Sequence, residues 1–203
     1  RLNSENTMSK HQPEEVRRRQ ILDAAKQCFI HQGLDSSTMR DIAREANLSL
    51  GGIYFHFDSK TDIFRAVCNE TYGTVLRKWQ QEAGDHTSTA ELLRALSLIN
   101  IDLIETDPDY FRLALVLNAA AVVDKDLQGI KRDHHRRFVE FIETALIKGV
   151  QREELRPHDC LGVAESVVAM FDGFYLRRGI NADIHPRSSI LTALELLIEV
   201  LTA

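Results

Sequence analysis

The stretch Thr38–Lys60, reading TMRDIAREANLSLGGIYFHFDSK, constrains the fold more than any other part of the chain. Thr38 followed three residues later by Asp41 predicts a capped helix start, with hydroxyl and carboxylate each answering a backbone N–H. Ile42, Ala43 and Ala46 then recur at helical spacing, with Arg40, Asp41, Arg44 and Glu45 around them. Asn47 suits the end of that helix, because Asn tolerates the left-handed backbone such an end needs. Ser49 caps a second short helix, LGGIYFHF, which Asp58 and Ser59 interrupt. Two helices of one or two turns joined by about three residues make a helix-turn-helix.

Everything around this stretch also reads as helix, so the fold class is all-α. Pro13, Glu14 and Glu15 suit the first turn of a helix that runs to about Gln32 and ends at Gly33. Arg17, Arg18 and Arg19 near its start form a basic cluster. Ser59 to Asp62 opens a long helix to about Ala83, with Ile63, Phe64, Val67, Val75, Leu76 and Trp79 at helical spacings. Further helices are expected over 89–106, from Asp107-Pro108 through Ala121, from Asp124 to just before Gly149, over 158–178 and over 186–201. The division is a three-helix head over residues 13–60 and a helical body over 61–203. Residues 1–12 are polar and read as unstructured, with Met8 a candidate start.

Composition narrows the function classes. The longest apolar run, Leu113–Val123, is shorter than the ~18 residues of a membrane span and contains Asn118, so it reads as a buried helix. The polar N-terminus has no signal-peptide core, and Cys28, Cys68 and Cys160 lack metal or redox spacing; both point to a reducing cytoplasm. The net charge of −5 is uneven: residues 1–60 carry nine Lys/Arg against eight Asp/Glu, and the acidic excess lies beyond them. No HExxH, CxxC, di-iron ExxH, Walker or dinucleotide pattern is present, and His134–His135 point about a hundred degrees apart on a helix. The expectation is therefore a non-enzyme with no cofactor and no metal.

The head carries a specific resemblance. Phe29, Gly33, Thr38, Ile42, Ala43, Ala46, Gly51, Tyr54, His56, Phe57, Lys60 and Phe64 fall where the tetracycline-repressor-like (TetR/AcrR) family has its N-terminal pattern, with Ile63 in place of its last Leu. The match covers about residues 17–67; beyond it the chain resembles the family in architecture alone. The resemblance implies a DNA-binding regulator, a repressor by the family's usual role. It would meet a near-palindromic double-stranded operator as a homodimer and be released by an unknown small-molecule effector. The alternatives are a constitutive DNA-binding dimer without a ligand, or an all-helical protein-binding adaptor.

Candidate DNA contacts are Thr38, Arg40, Ser49, Leu50, Gly51, Gly52, Tyr54, Phe55, His56 and Lys60. Ile53 and Phe57, four apart, point inward and leave Tyr54 and Phe55 on other faces. Two helix glycines each lose ~1 kcal/mol against Ala, so close approach to DNA is the reason to keep them. The resemblance places Tyr54, His56 and Lys60 at phosphates and Arg40 within reach of a base edge. Leu50 departs from the polar residue the family often has there and offers only apolar contact, which shifts recognition toward phosphates and DNA shape.

In the body the resemblance implies a ligand pocket, for which Tyr72, Trp79, Phe111, Leu115, Asn118, Phe138, Phe141 and Phe171 are the candidates. Asn118 inside an apolar run must find a partner, protein or ligand. The two last helices are so apolar that they either complete the core or pair with a second copy. Fold resemblance favours pairing, through Val167, Phe171, Phe174, Leu191, Leu194 and Ile198.

Overall fold

A computed structural model describes residues 13–84, 88–181 and 186–202. The expectation for residues 1–12 lies outside these. Among the described residues all regular structure is helical: α1 (Glu14–Gln32), α2 (Met39–Glu45), α3 (Leu50–His56), α4 (Lys60–Glu82), α5 (Thr89–Thr106), α6 (Pro108–Val123), α7 (Lys125–Gln151), α8 (Cys160–Ile180) and α9 (Pro186–Thr202). The chain divides into two compact units, one ending at Val67 and the other beginning at Cys68, consecutive residues within α4. None of the helices is long and apolar enough to cross a membrane.

In the first unit Ile21, Phe29, Ile42, Ile53, Phe57, Ile63 and Phe64 are fully or almost fully buried. The local signals for α2 act as anticipated. Thr38 Oγ1 accepts from Asp41 N at 3.2 Å, and Thr38 N donates to Asp41 Oδ2 at 3.0 Å. The far end closes with Asn47 at φ 51°, Leu48 N donating to Ala43 O and Asn47 N to Arg44 O, the two bonds of a Schellman cap. Ser49 Oγ accepts from Gly52 N and starts α3.

The second unit packs around Trp79, Leu93, Ile101, Ile104, Ile142, Leu146, Ala164, Ile190 and Leu194. Helix α5 starts where expected, with Ser88 and Glu91 forming a capping box. Helix α7 runs past Gly149 to Gln151. Gly149 serves close packing rather than termination, since a Cβ there would collide with Thr89 Oγ1 and lie 2.8 Å from Leu155 Cδ1. Thr89 in turn donates from its backbone N and its hydroxyl to Glu154 Oε2, at 2.7 and 2.8 Å. The turn after α7 takes its left-handed residue from Glu153, at φ 60°, where a glycine would be unstrained.

The expected pairing stripe is largely occupied within the single chain. Val167, Phe171, Leu194 and Ile198 are buried in the body core, and Phe174 and Leu191 are half-buried against it. A side chain already covered by its own chain is not free to meet a copy. The apolar residues that α8 and α9 leave open are Leu161, Leu176 and Ile180 on one and Leu196 and Val200 on the other.

Candidate nucleic-acid interface and ligand cavity

Helix α3 anchors through one side and leaves the other bare. Ile53 is fully buried and Phe57 almost so, whereas Tyr54 is 50% and Phe55 80% exposed. Arg40, Ser49 and Gly51 are exposed, and Leu50, Gly52 and His56 are half-buried. A Cβ added at Gly51 would meet nothing within 4 Å, so nothing inside the chain requires a glycine there. Relative to Ala it costs the helix ~1 kcal/mol. Arg40 has no partner among the described residues, and an outward guanidinium suits phosphate or the guanine edge. His56 lies edge-on against Phe55, ring centroids 5.1 Å apart, and its carbonyl accepts from Arg18 Nη1 at 3.2 Å. Arg18 also stacks its guanidinium 4.2 Å from the Phe57 ring centroid, so it braces α3.

Two of the expected contacts carry internal duties. Thr38 is held by Asp41, its hydroxyl donating to Oδ2 at 2.6 Å. Lys60 turns inward: its Nζ donates to the carbonyls of Leu34 at 2.7 Å, Ser37 at 3.0 Å and Asp35 at 3.4 Å. An ammonium so placed fastens the 34–37 loop from within the fold.

The body holds a cavity of about 590 Å³, within the range of small-molecule sites and open to solvent beside the exposed Gln128, Arg132, His135 and Asp172. Of the eight expected ligand residues, Tyr72, Trp79, Asn118, Phe138 and Phe171 line it. Phe111, Leu115 and Phe141 do not. Phe111 is buried in the core. Leu115 fills the space left by Gly179, where a Cβ would collide with its Cδ1. Phe141 stacks on Trp79 at 5.7 Å and faces a separate cleft beside Thr89 and Thr144.

The wall also holds polar groups that the sequence reading missed. Asn100 Nδ2 donates to Leu96 O at 2.8 Å, and Tyr175 Oη donates to Asn100 Oδ1 at 3.0 Å, so this part of the lining is satisfied. Lys131 reaches in from α7 and sets its Nζ 3.6 Å from the Tyr72 ring centroid. Desolvation pulls its pKa down to about 8. His134, one turn on, is buried against the Tyr72 ring at 5.4 Å, and desolvation, with Lys131 and Arg137 nearby, drops it to about 4. Asp172 on α8 lines the open side of the cavity as an exposed residue, where partial desolvation raises its pKa and Lys131 and His135 pull it back. Tyr72 Oη and Trp79 Nε1 are buried and have no hydrogen-bond partner among the described residues. A signal for part of this was present in the spacing. Gln128, Lys131, His135 and Phe138 recur every three or four residues along α7, so one helix face presents them together.

Comparison with known proteins covers both units. Residues 21–67 match the family described as bacterial regulatory proteins, tetR family, and residues 89–203 match the C-terminal domain of BetI-type transcriptional repressors. The HTH-type transcriptional repressor BepR of Brucella suis is 27% identical over 194 residues, covering 89% of this chain and 91% of that protein. Two solved structures share the fold. One is the transcriptional regulator FadR of Bacillus subtilis in complex with stearoyl-CoA, at TM-score 0.82 and 20% identity over 90% of this chain and 98% of that one. The other is a SmeT–triclosan complex, at TM-score 0.79 and 19% identity over 93% and 92%.

Proposed function

The chain belongs to the tetR family of bacterial regulatory proteins, and on that footing we propose that it represses transcription from a near-palindromic operator. It binds there as a two-fold dimer and leaves when a small molecule fills the cavity. Residues 13–60 read the DNA, and residues 61–203 sense and dimerise. The observation that carries the reading is a property of one helix. Helix α4 begins with Lys60, which fastens the loop preceding α2, and continues to Tyr72, Val75 and Trp79 on the cavity wall. A change in the cavity that moves α4 therefore acts on the mounting of the DNA reader.

Arg40, Leu50, Gly51, Tyr54, Phe55 and His56 are the DNA contacts of this reading, with Ser49 and Gly52 at the helix start. Lys60 and Thr38 support them without touching DNA. The copies pair through Leu161, Leu176 and Ile180 of α8 and Leu196 and Val200 of α9, the apolar side chains left open there. Two heads on one dimer then address half-sites about one helical turn apart. Effector and DNA favour different states of the dimer, and a coupling of ~1–3 kcal/mol is the usual scale of such linkage.

The test starts from duplexes selected out of a random pool and measures binding by fluorescence anisotropy. Phe55→Ala and Tyr54→Ala are expected to weaken binding tenfold or more while leaving stability within about 0.5 kcal/mol, as exposed substitutions do. Unchanged affinity in both variants would remove α3 from the interface. A ligand that saturates the cavity and leaves operator affinity unaltered would sink the sensor.

A further inference from the structure

We infer that the cavity takes a largely apolar monoanion, an aromatic carboxylate of about two fused rings, with its carboxylate set among Lys131, Tyr72 and Trp79. The inference deepens the effector reading above, and rests on it for the consequence of binding only.

The polar groups of the wall fall into two sets. Asn100 and Tyr175 answer one another and the Leu96 carbonyl, so that part of the lining asks nothing of a ligand. Tyr72 Oη and Trp79 Nε1 are different: both residues are more than nine-tenths buried, both line the cavity and both polar atoms lack a partner. They lie seven residues apart on α4, two turns along one face. An indole N–H only donates, so the missing group at Trp79 is an acceptor. Among the described residues nothing supplies it, and a buried donor left without an acceptor is unfavourable.

Lys131 sets the sign of that acceptor. Its ammonium projects into the same part of the cavity, against the Tyr72 ring, with no carboxylate within 4.0 Å and no hydrogen-bond acceptor among the described residues. A half-buried ammonium whose one close partner among the described residues is an aromatic face is short of a counter-charge. Asp172 is the one acidic residue of the lining and makes no ion pair with it. Lys131 and Arg132 against Asp172 leave the lining one positive charge in excess, which a monoanion neutralises. A cationic ligand meets the opposite situation. The Tyr72 face that would hold it is already taken by the protein's own ammonium, and a second cation brought beside the first is repelled.

The rest of the lining is apolar. Val75, Phe138, Val168 and Phe171 surround the space, and Trp79 and Phe138 meet edge to face at 5.0 Å. Rings so arranged offer both edges and faces to a flat aromatic body.

The experiment titrates the full chain by calorimetry with three isosteric probes: 2-naphthoate, naphthalene-2-carboxamide and (2-naphthylmethyl)trimethylammonium. Naphthoate is expected to bind at least tenfold more tightly than the amide, and the cation not at all over the same range. Lys131→Met lowers naphthoate affinity at least tenfold and leaves amide affinity within about twofold, and Lys131→Arg retains most of the preference for the anion. An unaltered thermal transition in Lys131→Met shows that the variant folds. Tighter binding of the cation overturns the inference, as does an anion-to-amide ratio that survives Lys131→Met, or no naphthoate binding up to about 1 mM. Operator affinity is measured separately. Naphthoate that binds without altering it defeats the regulatory reading and leaves the site standing; an operator complex with no naphthoate binding does the reverse.

Discussion

Helix α3 turns aromatic side chains outward, while helix α7 turns a lysine and a histidine in. Tyr54 and Phe55 stand exposed on the one, and Lys131 and His134 face the cavity on the other. Soluble domains do the opposite by default, with large apolar groups inside and charge in water. Each departure costs stability, and each falls at a proposed site. The head leaves its apolar edge exposed and keeps Lys60 for its own carbonyls. The body carries its cation inside and leaves two donors unanswered. Where a chain holds side chains against their preference is thus a better guide to its sites than where its charges are most numerous.

The largest test of the comparison is the pH response of the body. His134 titrates near 6.5 when unfolded and near 4 when folded, so the unfolded chain binds more protons between these values. Its contribution is fully present above about pH 6.5 and is lost as pH falls toward 4, amounting to about 3 kcal/mol by then. Trp79 is the only tryptophan, and its fluorescence reports unfolding of the body. Urea titrations at about pH 7.5 and 4.5 are expected to show this loss in the parent chain and a clearly smaller one in His134→Phe. Equal pH dependence in both would mean that His134 is not held neutral by burial.

The middle test concerns the head. Lys60→Met leaves the Leu34 and Ser37 carbonyls without their donor, at a cost of about 1–2 kcal/mol to the head. Hydrogen exchange at the Ile53 and Phe57 amides measures it. The slope of log affinity for DNA against log salt is expected to stay as it was. A slope shallower by about 0.9 would restore Lys60 to a phosphate and undo the contrast drawn between the two units.

The head was largely legible in sequence because its determinants are local. Thr38 with Asp41, Ser49 with Gly52, and Asn47 at the end of α2 act across two to five residues, which is the range a spacing rule covers. The internal bonds of Lys60 were not legible for the complementary reason, since its acceptors lie 23 to 26 residues away and meet it only in the fold. The body was half legible. Aromatic residues marked Tyr72, Trp79, Phe138 and Phe171 as cavity lining. Lys131 and Asp172 escaped because a charged residue on a helix reads as a solvated one. The proposed pairing face was not singled out because α8 is apolar almost all round. Its fullest stripe, through Val167 and Phe171, serves the chain's own core, and the thinner one through Leu161, Leu176 and Ile180 is left open.

The smallest effect is also the one that separates a site from a packing flaw. Tyr72→Phe deletes a buried hydroxyl that has no partner and keeps the ring that carries the Lys131 ammonium. In a merely well-packed core, loss of a tyrosine hydroxyl destabilises because its hydrogen bond goes with it. Here there is none to lose, and the ligand-free chain is expected to gain about 1 kcal/mol. Urea denaturation followed through Trp79 reads the gain. The same substitution is expected to weaken naphthoate binding, since the hydroxyl is one of the groups awaiting its carboxylate. Stability and affinity then move in opposite directions, as they do where a fold has set a group aside for a ligand. A variant that loses both would show that the hydroxyl has a partner in the free protein, and the orphaned donors would no longer mark the site.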